Sequence, residues 1–441
     1  MATEHQQRIQ RTADATRDAS IAFLRSLIAA ARKGEDAVQD EVATAARAAG
    51  CSVETVRYRP CDTPMIEEFA GKEAIDDGER NAVIARRAGS GSGRCLMLFA
   101  HPDGEPITRT EHWRTDPFAS EIVNGRVHGW GVADDLAGVA IMIEALRVIA
   151  ASGLAPDGDI IVASTPSKRH ARGVSALLHG GLSADAAIYL HPAESGAGMG
   201  EIKAFCSGQV EFRVIVEGKQ PPTSEPLQTA FAHLAENPIA KMQVIADALR
   251  ALGERRAAKT HNPSLDAAVG RSTNLMPSFI ASGERHRLAR VPERCEMGFA
   301  LSFPPPERLS DVTAEITETV AKAAASDPWL SANPPEIIWD SGVTGAQTDS
   351  EHPLFATAAA AIASVTGKPP VVNAMHTGSD IRNPIIQKGI PTIGLGPLCG
   401  DLSQNGGVDE WVDVADYLRA VAVVATIMVT WSDGQVEQAL D

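Results

Sequence analysis

The sequence predicts an α/β protein with a mixed, mostly parallel sheet flanked by helices and with an α+β domain inserted into it. Apolar strands alternate with amphipathic helices over residues 1–206 and again over 329–441, a pattern typical of parallel sheets. Between them, over 207–328, strands of period two appear, as in half-exposed antiparallel sheets. We therefore expect a discontinuous first domain made of the two outer segments and a second domain made of the inner one.

The elements of the first domain follow from hydrophobic spacing and from glycines at their ends. Two helices at 8–34 and 35–50 open the chain. Strands are predicted at 81–89, 94–106, 157–165, 184–194 and 390–397, and further helices at 131–153, 174–181 and 353–367. The inserted domain is predicted to contain strands at 208–218, 272–276 and 293–303 and helices at 237–256 and 309–326.

Composition and charge exclude several classes of protein. A chain of 441 residues with 44% hydrophobic residues suits two globular domains. The net charge of −16 argues against a nucleic acid or an anionic membrane as a partner, because both require a basic surface. The polar amino-terminal stretch and six cysteines without paired spacing predict a cytoplasmic protein with reduced thiols.

Two histidines and an aspartate stand where predicted strands or turns end. His101 follows an apolar strand, Asp134 lies in a glycine-rich turn before a helix, and His191 ends another strand. Two imidazoles and a carboxylate suit a borderline divalent metal such as Mn²⁺ or Zn²⁺. Asp103, two residues after His101, is placed to orient that imidazole. Each of these residues alone also fits a structural role. Their occurrence together, in this order and at the ends of strands or in a turn, favours a metal site.

A basic loop follows the strand at 157–165. Its sequence, STPSKRHARG, contains Lys168, Arg169, His170 and Arg172. The loop leaves the carboxyl end of a parallel strand, where α/β proteins place their chemistry. It is either a solvated basic turn or a site for an anion.

The joint pattern resembles the co-catalytic metallopeptidase and deacylase family of carboxypeptidase G, acetylornithine deacetylase, aminoacylase and succinyl-diaminopimelate desuccinylase. The stretches that carry the resemblance are AHPDGEP (100–106), GWGVADD (129–135), VASTPSKR (162–169), YLHP (189–192), TGSD (377–380) and VDEWV (408–412). The resemblance implies that the inserted domain is a lid through which the protein forms a homo-oligomer. It further implies that His101 and His191 are metal ligands, that Asp134 is a bridging carboxylate and that Asp103 orients His101.

Four positions depart from the family pattern. Relatives carry two consecutive glutamates, a general base and a ligand of a second metal, where this chain has Lys168 and Arg169. Gly406 stands at the position of a ligand histidine, and the stretch around Pro222 matches the position of a lid histidine. A second cation would meet a guanidinium in place of its ligands, so the sequence predicts one metal ion per subunit.

Two classes of function follow from these departures. The chain is an enzyme with altered chemistry or a non-catalytic scaffold, and the retained half-site of His101, Asp103, Asp134 and His191 favours the enzyme.

The specific expectation is hydrolysis of a C–N bond in a small anionic substrate. The first candidate is hydrolytic deamination of an activated aromatic amine of the 5-nitroanthranilate type, with Lys168 or Arg169 facing its carboxylate. The alternative is a single-metal amidohydrolase acting on an N-acyl amino acid. His376 is a candidate to bind substrate, because relatives bind the substrate carboxylate at that position. Candidates to replace the missing base are Glu105, His170, Glu194 and His376.

Overall fold

The structure is a computed structural model that describes residues 4–107, 110–192, 196–373, 379–400 and 407–433. The chain divides into two compact units. Within the described residues, unit 1 comprises the segments Met1–Met65, Glu73–Phe205 and Gln347–Asp441. Unit 2 comprises Ile66–Lys72 and Cys206–Ala346.

The helices are numbered in chain order. They are α1 Glu4–Ala15, α2 Arg17–Ala31, α3 Glu35–Ala48, α4 Ala137–Ser152, α5 Gly173–His179, α6 Pro238–Ala257, α7 Pro263–Val269, α8 Leu309–Ala325, α9 Pro328–Ala332, α10 Pro353–Thr366, α11 Arg382–Lys388 and α12 Val414–Ser432.

The strands are numbered in the same way. They are β1 Ser52–Tyr58, β2 Glu68–Ala70, β3 Arg80–Arg87, β4 Leu96–Ala100, β5 Ile122–Val123, β6 Arg126–His128, β7 Ile160–Ser164, β8 Ala186–Leu190, β9 Glu201–Lys203, β10 Phe205–Cys206, β11 Gly208–Glu217, β12 Asn274–Ser282, β13 Arg294–Phe303, β14 Glu336–Val343, β15 Ala346–Gln347, β16 Val371–Asn373, β17 Thr392–Leu395 and β18 Trp411–Asp413.

Unit 1 is built on an eight-stranded sheet with the order β1-β3-β7-β4-β8-β17-β9-β16. The central neighbours β7, β4, β8 and β17 run parallel, whereas β1, β3 and the β17–β9 pair are antiparallel. Every residue of β4, β7 and β8 is buried, as expected for parallel strands covered on both faces. The predicted mixed, mostly parallel sheet is therefore confirmed.

Apolar helices cover this sheet. Thirteen of the 16 residues of α4 are buried, and α12 packs against α4 and α10. Helix α12 is long and apolar enough to cross a membrane by length and composition, but 78% of its apolar window is buried inside the protein. It is a core helix of unit 1, and the Asp413 side chain caps it by accepting from the Asp416 N–H at 2.9 Å.

Unit 2 is an antiparallel sheet of five strands with the order β12-β13-β11-β14-β2, packed against α6 and α8. The boundary predicted at residue 328 differs from the observed one. Strand β14 pairs with β11, and β2 pairs with β14, so the compact unit extends to Ala346 and takes in Ile66–Lys72. These pairings join segments distant in sequence, which local hydrophobic patterns do not report.

The first predicted helix, 8–34, is two helices in the structure. Thr16 separates α1 from α2, and its hydroxyl donates to the carbonyl oxygens of Thr12 and Ala13. A threonine hydroxyl that bonds to the preceding turn competes with the helix backbone, which accounts for the interruption.

Candidate metal centre

The candidate site lies at the carboxyl ends of three neighbouring strands. In the sheet, β4 lies between β7 and β8, and all three are parallel. His101 directly follows β4, the basic loop follows β7, and His191 directly follows β8. Because parallel strands end at the same edge of the sheet, these side chains converge there.

His101, Asp134 and His191 form one buried cluster, with ligand atoms that all lie within 4.8 Å of one another. Oδ1 of Asp134 is 2.8 Å from Nε2 of His101 and 3.3 Å from Nε2 of His191. The three residues are 2%, 1% and 7% exposed. The sequence-predicted trio is therefore brought together by the fold.

The donor set fits a divalent transition metal. Oδ1 of Asp134 is buried and has no hydrogen-bond partner among the described residues, although two imidazole nitrogens lie close to it. Ligands bound about 2.0–2.2 Å from one ion lie roughly 3–3.5 Å from each other in a tetrahedral site, close to the distances seen here. An ion at this point would satisfy the otherwise unpaired oxygen.

Asp103 orients His101 through its backbone. Nδ1 of His101 is 2.8 Å from the carbonyl oxygen of Asp103 and 3.4 Å from its carboxylate oxygen Oδ1. The carbonyl accepts the Nδ1 proton, which leaves the lone pair of Nε2 directed at the cluster. The expected partner was the Asp103 carboxylate, and the closer partner in the structure is the main chain of the same residue.

The Asp103 carboxylate instead holds the basic loop. Its two oxygens accept the backbone N–H groups of Ser167 and Lys168, each at 2.9 Å. Arg80 donates to the same carboxylate at 3.0 Å and to Glu35 at 2.5 Å. These contacts tie the start of the loop to the residue that orients His101.

Asp134 lies in a tight turn that Glu410 stabilises. Gly131 begins the turn with a φ of +66°, a conformation that favours glycine. The buried Glu410 carboxylate accepts the N–H groups of Gly131, Ala133 and Asp134. Burial, followed by the charge of Asp134, raises the pKa of Glu410 to about 8.

Lys168 contacts Asp134 on the side away from the two histidines. Its ammonium forms an ion pair with Oδ2 of Asp134, and 19% of its side chain is exposed. Burial alone would lower the pKa of Lys168, but the charge and hydrogen bond of Asp134, together with the charges of Asp103 and Glu105, outweigh it and the pKa is raised. Burial alone would likewise raise the pKa of Asp134, but the neighbouring His101 and His191 together outweigh it and hold that pKa well below its usual range. Lys168 is therefore charged.

Arg169 lies beside this contact and faces a cavity. Its backbone has a φ of +52°, its side chain is 65% exposed, and its Nε is 3.6 Å from Oε2 of Glu105. Together with Lys168 it lines a cavity of about 420 Å³. The Trp130 indole forms another wall and donates its N–H to the Glu105 carbonyl at 2.8 Å. Arg169 is thus a partly solvated cation on the cavity wall.

A buried lysine lies behind His191. Lys203 is 1% exposed, and its Nζ is 3.2 Å from Nδ1 of His191 and 3.3 Å from the His191 carbonyl oxygen; it also donates to the Pro192 carbonyl. Metal binding at Nε2 of His191 requires the imidazole proton on Nδ1. The ammonium must then shift from Nδ1 toward the carbonyl groups that it already contacts.

Glu194, His376 and Gly406 lie outside the described residues. Pro222 lies exposed in a loop of unit 2. The sequence reasoning missed the roles of Glu410 and Lys203. Two features pointed to these roles. Lys203 lies in β9, a strand with every residue buried, and Glu410 directly precedes β18.

A buried cluster of two histidines and an aspartate at the strand ends of a mostly parallel sheet is suited to a divalent metal ion. A family model described as Peptidase family M20/M25/M40 matches residues 97–430. The chain belongs to this family, as its motifs predicted.

Three individual proteins are similar to this chain over nearly its whole length. The N-formyl-4-amino-5-aminomethyl-2-methylpyrimidine deformylase of Halalkalibacterium halodurans is 23% identical over an alignment of 440 positions that covers 95% of each chain. A metallo-carboxypeptidase of the M20 family from Sulfolobus solfataricus has a TM-score of 0.66 at 14% identity, covering 94% of this chain and 98% of that one. A dinuclear metal-binding M20 peptidase from Bacillus subtilis has a TM-score of 0.64 at 15% identity, covering 95% and 99%. The two solved structures share the fold.

Proposed function

We propose that the protein hydrolyses a C–N bond of a small anionic substrate at a site that holds one divalent ion, Mn²⁺ or Zn²⁺. The observation that carries the proposal is the buried Oδ1 of Asp134, which faces two imidazole nitrogens and has no hydrogen-bond partner among the described residues. When bound, such an ion supplies Lewis acidity and activates water at neutral pH. His101, Asp134 and His191 would hold it, and Asp103 would keep His101 in the ligand tautomer.

The first candidate reaction is hydrolysis of a small N-formyl or N-acyl amine. The Halalkalibacterium relative is named a deformylase of an aminomethylpyrimidine, and the match covers 95% of both chains. The cavity of about 420 Å³ beside Lys168 suits a ligand of one or two rings. Trp130 offers a flat apolar wall to such a ring.

The second candidate is hydrolytic deamination of an activated aromatic amine that bears a carboxylate, such as 5-nitroanthranilate. Arg169 favours this candidate, because its guanidinium and the Trp130 indole line the same cavity. A guanidinium binds a carboxylate through paired hydrogen bonds, so this residue suits the anionic group. In this candidate Arg169 binds the substrate carboxylate. It would bind the carboxylate of an N-acyl amino acid in the same way.

The test combines metal analysis with a substrate panel. The chelator-treated protein, reconstituted with Mn²⁺ or Zn²⁺, is assayed with N-formyl aminomethylpyrimidines, N-acyl amino acids and nitro- or carboxy-substituted anilines. We expect metal-dependent turnover in one of these classes, abolished in His101→Ala, Asp134→Ala and His191→Ala. His112→Ala is the matched control, because its side chain is 64% exposed. Metal-independent turnover would contradict the role of the ion, and no turnover of any class would contradict the proposal and favour a non-catalytic scaffold.

We also propose that two copies associate through strand β12 of unit 2, in a cytoplasmic protein without nucleic-acid or membrane partners. Strand β12 is the outermost strand of its sheet, and Met276, Phe279 and Ile280 are 57%, 49% and 61% exposed on it. A long apolar edge strand favours pairing with another strand.

Light scattering after gel filtration tests this association. Phe279→Lys with Ile280→Asp should give monomers, whereas Leu288→Asp, at a residue 90% exposed outside the strand, should leave the dimer unchanged. A monomeric wild-type protein would contradict the proposal.

A further inference from the structure

We infer that the ammonium of Lys168 takes the place of a second metal ion at Asp134, as a built-in cation of the site. The inference rests on the proposed function, in that it assumes a metal ion bound by His101, Asp134 and His191. It concerns the other side of Asp134 and gives a physical reason for the single ion that the proposed function assumes.

The two oxygens of the Asp134 carboxylate have different surroundings. Oδ1 faces Nε2 of His101 and Nε2 of His191, whereas Oδ2 forms an ion pair with Lys168. A carboxylate can bridge two cations, one on each oxygen. Here one oxygen faces a set of metal ligands and the other is already neutralised by an ammonium group.

The backbone fixes Lys168 in this position. Asp103 accepts the N–H groups of Ser167 and Lys168 on its two oxygens, and Arg80 in turn holds the Asp103 carboxylate. The lysine stem is mostly buried, with 19% of the side chain exposed. These contacts fix the backbone of Lys168 beside Asp134, and the ammonium lies within reach of Oδ2.

The charge of Lys168 has two consequences. A divalent ion at Oδ2 would lie within a few ångströms of the ammonium and be repelled by it. An ion on the histidine side is repelled less strongly, because Asp134 lies between the two cations. The site then accepts one ion, and its affinity for that ion is lower than the three ligands alone would give.

Lys168 also borders the cavity that Arg169 and Trp130 line, so its positive charge is available to a molecule bound there. A substrate oxygen that gains negative charge during C–N hydrolysis can accept a hydrogen bond from the ammonium. No bond to Lys168 forms or breaks, and its contribution is electrostatic.

Metal titration of the full chain tests the inference. Apo wild type, Lys168→Met and Lys168→Glu are titrated with Mn²⁺ by calorimetry, and bound metal is counted after dialysis. Wild type should bind one equivalent. Lys168→Met should bind this equivalent at least tenfold more tightly, and Lys168→Glu should bind a second. Arg169→Met is the matched control, since its mostly exposed side chain belongs to the same loop, and it should bind one equivalent with wild-type affinity.

The outcomes separate this inference from the proposed function. Equal stoichiometry and affinity in wild type, Lys168→Met and Lys168→Glu would overturn the inference and leave the single-metal site intact. Two tight equivalents in wild type would overturn the inference and also the single-ion stoichiometry of the proposed function. Absence of metal binding in wild type would overturn the inference and the proposed function together. The melting temperature of each apo variant shows whether it is folded, and Lys168→Met decides the matter if Lys168→Glu does not fold.

Discussion

The carboxylate of Glu410 accepts a hydrogen bond from the backbone N–H of Asp134 at 3.1 Å. The same carboxylate accepts from Ala133 at 2.7 Å and from Gly131 at 3.0 Å. Glu410 therefore holds the turn that presents the Asp134 side chain to His101 and His191. The candidate ligand Asp134 and the residue that positions its turn are 276 residues apart in the chain.

Glu410→Gln should destabilise this turn. An amide has one acceptor oxygen, so its NH₂ group would face one of the three N–H donors and leave it unsatisfied. The expected loss in the free energy of unfolding is about 1–3 kcal/mol, measured by urea denaturation. We also expect weaker Mn²⁺ binding in calorimetry. Glu54→Gln, on an exposed strand position, serves as the control, and an equal effect of both substitutions would contradict the role assigned to Glu410.

The strand-end placement of the cluster could be predicted from sequence because it depends on local patterns. Each ligand directly follows an apolar run or a glycine-rich turn, and parallel strands bring their carboxyl ends together. The same reasoning gave the core sheet and the period-two strands β11 and β13. It did not give β14 or β2, since their pairing partners are far away in the chain.

The contact between Lys168 and Asp134 could not be predicted in the same way. It depends on a loop in which Arg169, His170 and Arg172 all have positive φ values, which turn the chain so that adjacent cations point in different directions. The sequence predicted that Arg169 would oppose a second cation, whereas Lys168 is the residue that contacts Asp134. Side-chain direction in such a loop is set by tertiary hydrogen bonds, here those of Asp103.

Asp103→Ala should release this loop and destabilise the protein. The substitution removes the acceptor of two backbone N–H groups and one partner of Arg80, whose side chain is 19% exposed. Breaking a fully buried pair costs roughly 3–5 kcal/mol, and we expect a loss at or below the lower end because Arg80 is partly exposed and Glu35 still pairs with it. Urea denaturation measures the loss. Asp103→Asn, which retains one acceptor oxygen, should recover part of the stability. An unchanged urea midpoint in both variants would show that the Asp103 carboxylate does not hold the loop.

Gly138→Ala should disturb the packing of α4 against the strand that ends at His191. A Cβ atom at Gly138 would lie 2.0 Å from the carbonyl oxygen of Leu190, so the helix must move away from β8. We expect overpacking to cost about 1–3 kcal/mol or more and to weaken metal binding through His191. Gly200→Ala is the control, since its Cβ would lie 3.9 Å from its nearest neighbour, in ordinary contact. Thermal melting with and without Mn²⁺ compares the two, and similar melting temperatures would contradict the prediction.

Glu35 should make the stability of the protein depend on pH. Burial, followed by the charge of Asp103, raises the pKa of Glu35 from 4.5 to about 7, and Arg80 offsets part of this shift. A group whose pKa is raised by folding contributes stability below its unfolded pKa, and the contribution is lost as the pH rises through the folded value. Wild type should therefore lose up to about 3 kcal/mol from this group between pH 4.5 and 7.

Glu35→Gln removes the titration, so its stability relative to wild type should increase over the same interval. Urea denaturation at pH 5, 6, 7 and 8 measures the difference, with Glu73→Gln on the exposed rim of the same cavity as the control. Parallel pH curves for wild type and Glu35→Gln would show that the Glu35 carboxyl titrates at its ordinary value.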